Sequence, residues 1–210
     1  MVQNSAKPRG RPRSFDPDVV LRLARDAFWT AGYSATSLDD LARATGLNRP
    51  SLYAAFGDKR ALYIAALRRT REDMAAAMAL ALGAPGSLRE ALMRLYAGAT
   101  AAYLAGEGGQ RGCFLIGTGV TESLPDPEIR EEMAASIAVM DEAFETRLRR
   151  AQAQGELAAD ADVVALARIA TACMNTQAIR ARAGAQEAEL LAIGRAATDM
   201  ICAKAPPGLS

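Results

Sequence analysis

The chain has 210 residues, of which half are hydrophobic and 5% aromatic, with 25 Lys and Arg against 24 Asp and Glu. It contains no histidine, which excludes His-based catalytic triads, histidine general bases and the usual zinc ligand sets. The charge is unevenly divided: residues 1–72 carry 13 basic and 7 acidic side chains and residues 73–210 carry 12 and 17, so the first part favours a polyanionic partner.

The chain starts with a basic arm, residues 1–13, whose Arg-Gly-Arg-Pro core resembles an AT-hook. Glycine and proline keep such an arm extended, so Arg9 and Arg11 are candidates to enter a narrow A·T-rich minor groove. The alternative is a disordered tail that adds only salt-dependent attraction to DNA.

Three helices are predicted in residues 14–65. Asp16-Pro17 begins the first, and an apolar i, i+3, i+4, i+7 stripe runs along it to Gly32. Thr36, with Asp39 three residues later as an Asp variant of the capping box, begins the second helix. Gly46 ends that helix and Asn48 caps the third. Two short helices around a glycine turn, residues 37–56, are typical of a helix-turn-helix that binds duplex DNA.

The third helix has an outward face formed by Arg49, Ser51, Ala54 and Ala55, because Leu52 and Phe56 are spaced for the core. Arg49 is the candidate for contact with a base edge, since a guanidinium donates two hydrogen bonds to guanine, worth about 1–3 kcal/mol of discrimination. A phosphate contact or a solvated charge are the alternatives. Pro50 and Ser51 add candidate apolar and hydroxyl contacts.

These residues resemble the DNA-binding domain of the TetR family of transcriptional regulators. The resemblance rests on Ala27-Phe28, Gly32-Tyr33, Thr36-Ser37-Leu38, Leu41-Ala42, Gly46-Leu47, Leu52-Tyr53, Phe56, Lys59 and Leu62. It implies an all-α homodimer whose N-terminal three-helix domains bind a palindromic operator and whose C-terminal helical domains bind a small molecule that releases the DNA. Repression is the default that it implies, and no cofactor or metal is expected.

Backbone contacts with DNA are expected from Thr36 and Ser37, because hydroxyls and free N–H groups at a helix start suit a phosphate. The resemblance adds Tyr53 and Lys59. The family often has lysine at the position of Arg49, glycine at that of Pro50, and aromatic residues or histidine at those of Ala54 and Ala55, so the operator sequence stays open. The predicted DNA-binding set is Arg9, Arg11, Thr36, Ser37, Arg49, Pro50, Ser51, Tyr53 and Lys59.

Six further helical segments are predicted. They are Asp58 to about Leu82, Ser87 to about Ala105, Cys113 to about Glu122, Pro127 to about Gln154, about Asp162–Ala183, and Gln186–Ala203. The predicted division is an arm at 1–13, a DNA-binding domain at 14–65, an effector-binding and dimerisation domain at 66–205 and a tail at 206–210.

Broad apolar stripes on the last two helices predict a dimer interface in the form of a four-helix bundle. The alternative is that the stripes only close the core of one chain. The predicted interface residues are Val163, Leu166, Ala170, Cys173, Met174, Gln177, Leu190, Ile193, Ala197 and Met200.

Candidate pocket residues combine apolar walls with a few polar groups, although each of them is also a candidate for the core. They are Tyr96, Tyr103, Phe114, Met140, Phe144, Met174 and Asn175. Cys113 follows a glycine and Arg111 at a predicted helix start, where a cation and the helix dipole lower a thiol pKa, so it is a candidate oxidant or electrophile sensor. A buried structural cysteine is the alternative.

The expected partners are double-stranded operator DNA, a second copy of the chain and an unknown effector, with no membrane. No signal peptide or run of about 18 apolar residues is found, and three separated cysteines fit a reducing cytoplasm. Rival functions are an architectural DNA-binding protein without an effector and a helical enzyme. We expect no enzymatic activity, because P-loop, dinucleotide-binding and paired-cysteine motifs are absent from the sequence.

Overall fold

The structure, a computed structural model, describes residues 15–106 and 110–203. Within these ranges the chain contains helices and no β-strand, which confirms the all-α prediction. The elements in order are α1 (Pro17–Ala31), α2 (Leu38–Thr45), α3 (Arg49–Phe56), α4 (Lys59–Gly83), α5 (Leu88–Leu104), a π-helical turn (Leu115–Gly119), α6 (Val120–Glu122), α7 (Pro127–Ala153), α8 (Val163–Arg182) and α9 (Glu187–Ile201).

Side chains cap the starts of the helices largely where the sequence predicts them. Asp16, Asn48 and Asp58 each accept an N–H group of the first turn of α1, α3 and α4, at 2.8–2.9 Å. Gly46 ends α2 with φ 71° and ψ 8°, the left-handed conformation that costs glycine little. Local signals thus determine most of the helix ends.

The start of α2 differs from the prediction by one residue. Ser37 is the N-cap: its hydroxyl oxygen accepts the N–H of Asp40 at 3.1 Å, and the Asp40 carboxylate accepts the N–H of Ser37 at 3.0 Å. Thr36 is only 1% exposed and its hydroxyl donates to the carbonyl of Gly32 at 2.6 Å. The predicted Thr36–Asp39 capping pair is therefore wrong, because Thr36 bonds back to the preceding turn.

Helices α1, α2, α3 and the first third of α4 form an N-terminal bundle, residues 17–67, around one apolar core. That core continues into the segment after α5 and into the start of α7. Its members include Phe28, Leu41, Leu62, Tyr63, Leu67, Phe114, Leu115 and Ile129. The N-terminal bundle is therefore packed directly on the rest of the chain and is not joined to it through a flexible linker alone.

The remaining helices, α5 to α9 with the end of α4, form a C-terminal bundle with its own core. Met78, Leu92, Phe144, Leu148 and Met174 are among the buried residues. Helix α4 runs unbroken through residues 65 and 66, the predicted domain boundary, and belongs to both bundles. Helix α4 is therefore a continuous connection between the two bundles.

The faces of α8 and α9 correct the predicted dimer interface. Most of the predicted residues lie inside the chain's own core, which is the alternative that the sequence left open, because these stripes pack on α5 and α7. Val163, Ala170, Met174, Gln177, Leu190 and Ala197 are buried, Leu166, Cys173 and Ile193 are half-buried, and Met200 is exposed. A different face, which includes Ile169 and Ile179, meets solvent.

Candidate nucleic-acid interface and ligand cavity

Helix α3 presents a small face of mixed polarity to solvent. Leu52 is 2% exposed and anchors the helix, while Ser51 and Ala55 are half-buried. The exposed side chains are Arg49, Pro50, Tyr53 and Ala54. Because alanines follow the first turn, Arg49 is the only long side chain at the N-terminal end of this face.

Arg49 is held by an acid on the neighbouring helix. Its Nε lies 2.8 Å from one carboxylate oxygen of Asp39, and its Nη2 lies 2.5 Å from the other. Both side chains stay more than half exposed. Hydrogen bonding to Arg49 lowers the pKa of Asp39, so the carboxylate stays charged throughout the physiological range. The sequence analysis singled out Arg49 but missed this partner.

The predicted phosphate contacts are placed unevenly. Ser37 is exposed at the start of α2, whereas the Thr36 hydroxyl is turned inward and is not available to DNA in this arrangement. Lys59, the first residue of α4, has its Nζ 4.4 Å from the ring centroid of Tyr33. Arg9 and Arg11 lie outside the described residues.

A cavity of about 340 Å³ lies between the N-terminal bundle and helices α4, α5 and α8. Three predicted pocket residues, Tyr103, Phe114 and Met174, line it, as does Cys113. Tyr103 is 8% exposed, and its hydroxyl makes no hydrogen bond with another described residue. The cavity is therefore mainly apolar and of a size suited to a small ligand, with the Tyr103 phenol, Asp73 and Arg94 among its lining residues.

The other predicted pocket residues do not line this cavity. Tyr96, Met140 and Phe144 are buried in the C-terminal core, where the Tyr96 hydroxyl donates to the carbonyl of Ala170 at 3.2 Å. Asn175 is half-buried on α8. Helical spacing places all four on inward or partly inward faces, but only packing decides where a space remains.

Trp29, on α1, is a cavity residue that the sequence analysis missed. Its indole N–H donates to the carbonyl of Arg111 at 2.8 Å, and the Arg111 guanidinium lies 4.5 Å from the ring centroid. Nearby, the Tyr63 hydroxyl donates to Thr118 Oγ1 of the π-helical turn at 2.8 Å. These bonds tie the N-terminal bundle to the segment that forms one cavity wall.

Ion pairs connect α4 to the start of α7 beside these bonds. The Nε of Arg60 lies 2.5 Å from Asp126 Oδ2, and the Nε of Arg68 lies 2.6 Å from Glu132 Oε1. Hydrogen bonds from Arg60 lower the pKa of Asp126 to about 2. Asp126 is also the N-cap of α7, so one carboxylate joins the cap of α7 to α4.

The predicted low thiol pKa of Cys113 is corrected by the structure. Burial raises the pKa of this thiol, and the N–H groups of Leu115 and Ile116 offset only part of that effect. Arg111 does not act on the thiol as expected, because its guanidinium lies on Trp29. A thiol with a raised pKa is a weaker nucleophile at neutral pH, although Cys113 does lie in the cavity wall.

Three further observations concern membrane spans, metal sites and cysteine pairing. In residues 15–106 and 110–203, no helix combines the length and the apolar character needed to cross a membrane. No group of three or more His, Cys, Asp or Glu side chains in the same ranges could hold a metal ion. Cys113, Cys173 and Cys202 are free thiols.

Two family models match the sequence. "Bacterial regulatory proteins, tetR family" matches residues 20–66, and "Tetracyclin repressor-like, C-terminal domain" matches residues 89–197. The HTH-type transcriptional repressor ComR of Escherichia coli (strain K12) is 34% identical over 187 residues, 89% of each chain. The uncharacterized HTH-type transcriptional regulator YezE of Bacillus subtilis (strain 168) is 36% identical over 160 residues, 76% of this chain and 82% of the other.

Among solved structures, a cysteine-substituted form of the TetR family regulator CifR in complex with 26-bp operator DNA superimposes with a TM-score of 0.78. It is 32% identical, and the match covers 90% of this chain and 98% of that one. The similarity therefore extends over nearly the whole length of that chain.

Proposed function

The chain belongs to the TetR family of bacterial regulatory proteins, and on that premise we propose a homodimeric repressor that releases a palindromic operator when a small molecule fills the cavity beside α4. Trp29 carries this proposal, because it belongs to the N-terminal bundle and also lines the cavity. A ligand that displaces the cavity wall acts directly on the bundle that holds α3. The difference in ligand affinity between the two arrangements drives release.

On DNA, α3 enters the major groove and Arg49 contacts a base edge. Ser37, Tyr53 and Lys59 contact the backbone, and Pro50 and Ser51 line the same groove. The backbone N–H groups at the start of α2 make the phosphate contact that the sequence analysis predicted for the Thr36 hydroxyl. Arg9 and Arg11 of the basic arm contact the adjacent minor groove.

The second copy docks on the exposed face of α8 and α9. Apolar and small side chains recur there with helical spacing and complete a four-helix bundle across a twofold axis. They are Ile169, Ala172 and Ile179 on α8, and Ala192, Ala196 and Met200 on α9. A fixed dimer sets the two α3 helices about one turn of DNA apart, roughly 34–36 Å.

Light scattering tests the dimer. Ile179, 57% exposed, replaced by Glu is expected to give monomers at micromolar concentration, because a buried charge opposes association. Ile137→Glu is the matched control, since Ile137 is 40% exposed on α7, which is not one of the two helices of the proposed interface. A wild-type monomer, or dissociation of both variants, contradicts the assignment.

The effector is a largely apolar small molecule with one group that hydrogen-bonds Tyr103. The mainly apolar walls and a phenol with no hydrogen-bond partner in residues 15–106 and 110–203 support this class of ligand. Phe114, Met174 and Cys113 contact it. Cys113 lines the same cavity, and its proposed second role is that of an electrophile sensor. If every electrophile tried releases Cys113→Ser from the operator as it releases the wild-type protein, that role is contradicted.

Selection of DNA from a random duplex pool tests the function as a whole. The repressor is expected to enrich one palindrome and bind it at least about a thousandfold more tightly than random duplex. A thermal-shift screen of metabolites and toxic compounds then supplies ligands for release assays on that palindrome. Equal affinity for all duplexes indicates an architectural DNA-binding protein, and binding that no ligand reverses contradicts effector control.

We also propose that the protein works in the cytoplasm and has no enzymatic activity. Its expected partner is DNA, its relatives described above are regulators, and its described cysteines are free thiols. Turnover of a screened ligand by the purified protein would contradict the absence of catalysis.

A further inference from the structure

Asp39 and Arg49 form a two-pronged ion pair across the turn of the helix-turn-helix. Asp39 is the second residue of α2, and Arg49 is the first residue of α3. Two contacts, 2.8 Å and 2.5 Å, join Nε and Nη2 to the two carboxylate oxygens. The side chains remain 63% and 54% exposed, so the pair is accessible to a partner that docks on α3.

The pairing leaves one edge of the guanidinium available. A guanidinium carries five N–H donors in one plane, and Asp39 occupies only the edge formed by Nε and one N–H of Nη2. The edge formed by Nη1 and the second N–H of Nη2 is a second fork. Two donors at this spacing match O6 and N7 of guanine in the major groove.

Asp39 lies in the first turn of α2, where its charge suits the helix dipole, but it takes no part in the capping box, which Ser37 and Asp40 form. Its side-chain hydrogen bonds with described residues are those with Arg49. A lone carboxylate on a DNA-facing surface repels phosphates. Because Asp39 is paired with Arg49, this repulsion is reduced.

Without the carboxylate, Arg49 is a long side chain free to adopt many rotamers, and phosphates are the anions within its reach. With it, the fork is restrained before DNA arrives, and less conformational entropy is lost on binding. The ion pair therefore favours base contact over phosphate contact.

We propose that Asp39 is a specificity-determining positioning residue, which holds Arg49 so that its outer donor pair meets a guanine in each half of the operator. This inference rests on the proposed binding of an operator by α3. It names the base that Arg49 recognises and a second residue responsible for that recognition.

The test starts from a duplex selected with the wild-type protein and compares variants on it. Asp39→Ala removes the carboxylate, and Asp39→Asn keeps the shape but loses one acceptor and the charge. Glu72→Ala, at an exposed position of α4, removes the same charge elsewhere and is the control for general electrostatics. Thermal unfolding of each variant verifies that it is folded.

The decisive probe replaces the conserved guanine of the selected half-site by 7-deazaguanine, which lacks the N7 acceptor. The wild-type protein and Glu72→Ala are expected to lose about tenfold in affinity on this duplex. Asp39→Ala and Asp39→Asn are expected to lose no more than about twofold, because their Arg49 no longer holds the fork in place. Asp39→Ala is also expected to bind random duplex more tightly than the wild type does.

Arg49→Ala completes a double-mutant cycle. In a protein that already carries Arg49→Ala, adding Asp39→Ala is expected to have no further effect on guanine discrimination. Failure of the inference and failure of the proposed function are distinguishable. A wild-type protein that enriches no palindrome contradicts the function. A wild-type palindrome on which Asp39→Ala keeps the same guanine preference and the same 7-deazaguanine penalty overturns the inference alone.

Discussion

Replacing Gly112 with alanine is expected to destabilise the protein by about 2–5 kcal/mol. Gly112 has φ +63°, and a left-handed conformation costs an L side chain about 1–2 kcal/mol. A Cβ here would lie 2.5 Å from the carbonyl oxygen of Ala178. That oxygen belongs to the backbone of α8 and cannot rotate away. Either α8 or the segment between α5 and the π-helical turn must therefore shift, at a cost of about 1–3 kcal/mol in stability.

Gly155→Ala is the matched control, because it has the same type of backbone and open space around it. Its φ is +74°, and a Cβ would meet no heavy atom within 4 Å. Only the conformational cost of about 1–2 kcal/mol is expected there. Urea unfolding at equilibrium measures both losses, and the difference between the variants isolates the contact with α8.

Equal losses of stability in the two glycine variants would falsify the close approach of residue 112 to α8. A functional consequence follows from the same geometry, since Gly112 lines the ligand cavity. A Gly112→Ala protein that still folds is expected to bind the ligand more weakly because one cavity wall has moved.

Three more changes probe the cavity and the contacts between the bundles. Tyr103→Phe is expected to weaken ligand binding about 2–10-fold in calorimetric titration with little loss of stability, whereas Tyr96→Phe, the control in the closed core, loses about 1 kcal/mol of stability. Trp29→Phe removes the hydrogen bond to the Arg111 carbonyl, so the variant is expected to lose about 0.5–1.5 kcal/mol of stability. In gel shifts it is also expected to show a smaller effect of ligand on operator affinity. An unchanged ligand effect contradicts the proposed coupling of the cavity to the N-terminal bundle through Trp29. The pKa of Asp126 is lowered from 3.8 to about 2, so the stabilising effect of its carboxylate is present above pH 4 and lost as the pH falls towards 2. Asp126→Asn is expected to flatten that part of the curve of unfolding free energy against pH. A slope identical to that of the wild type rejects the role of the ion pair.

Local sequence signals account for most of the fold. Caps at Asp16 and Asn48, the glycine at the end of α2 and the prolines in the first turns of α1 and α7 each act within a few residues, so a single sequence shows them. The error at Thr36 arose because two adjacent hydroxyl residues can both cap a helix. Packing of Thr36 against the preceding turn decided between them.

The candidate site was only partly predictable. Arg49 was identifiable from its place in the helix-turn-helix, but its pairing with Asp39 depends on the angle between two helices. Tyr103 was one of several aromatic residues with inward spacing, and Trp29 gave no signal, since its partner Arg111 is 82 residues away. Periodicity shows that a side chain faces inward without showing what it faces.

The sequence by itself determined the helices, the helix-turn-helix and the family, because caps, turns and apolar spacing act over one or two helical turns. Only the tertiary structure decided which apolar faces close the chain's own core and which are left for a partner, and where a cavity remains. Those outcomes depend on contacts between residues far apart in the chain, as when Val163 and Leu190 turn inward while Ile179 meets solvent. The same distant contacts brought an acid of α2 beside the arginine of α3.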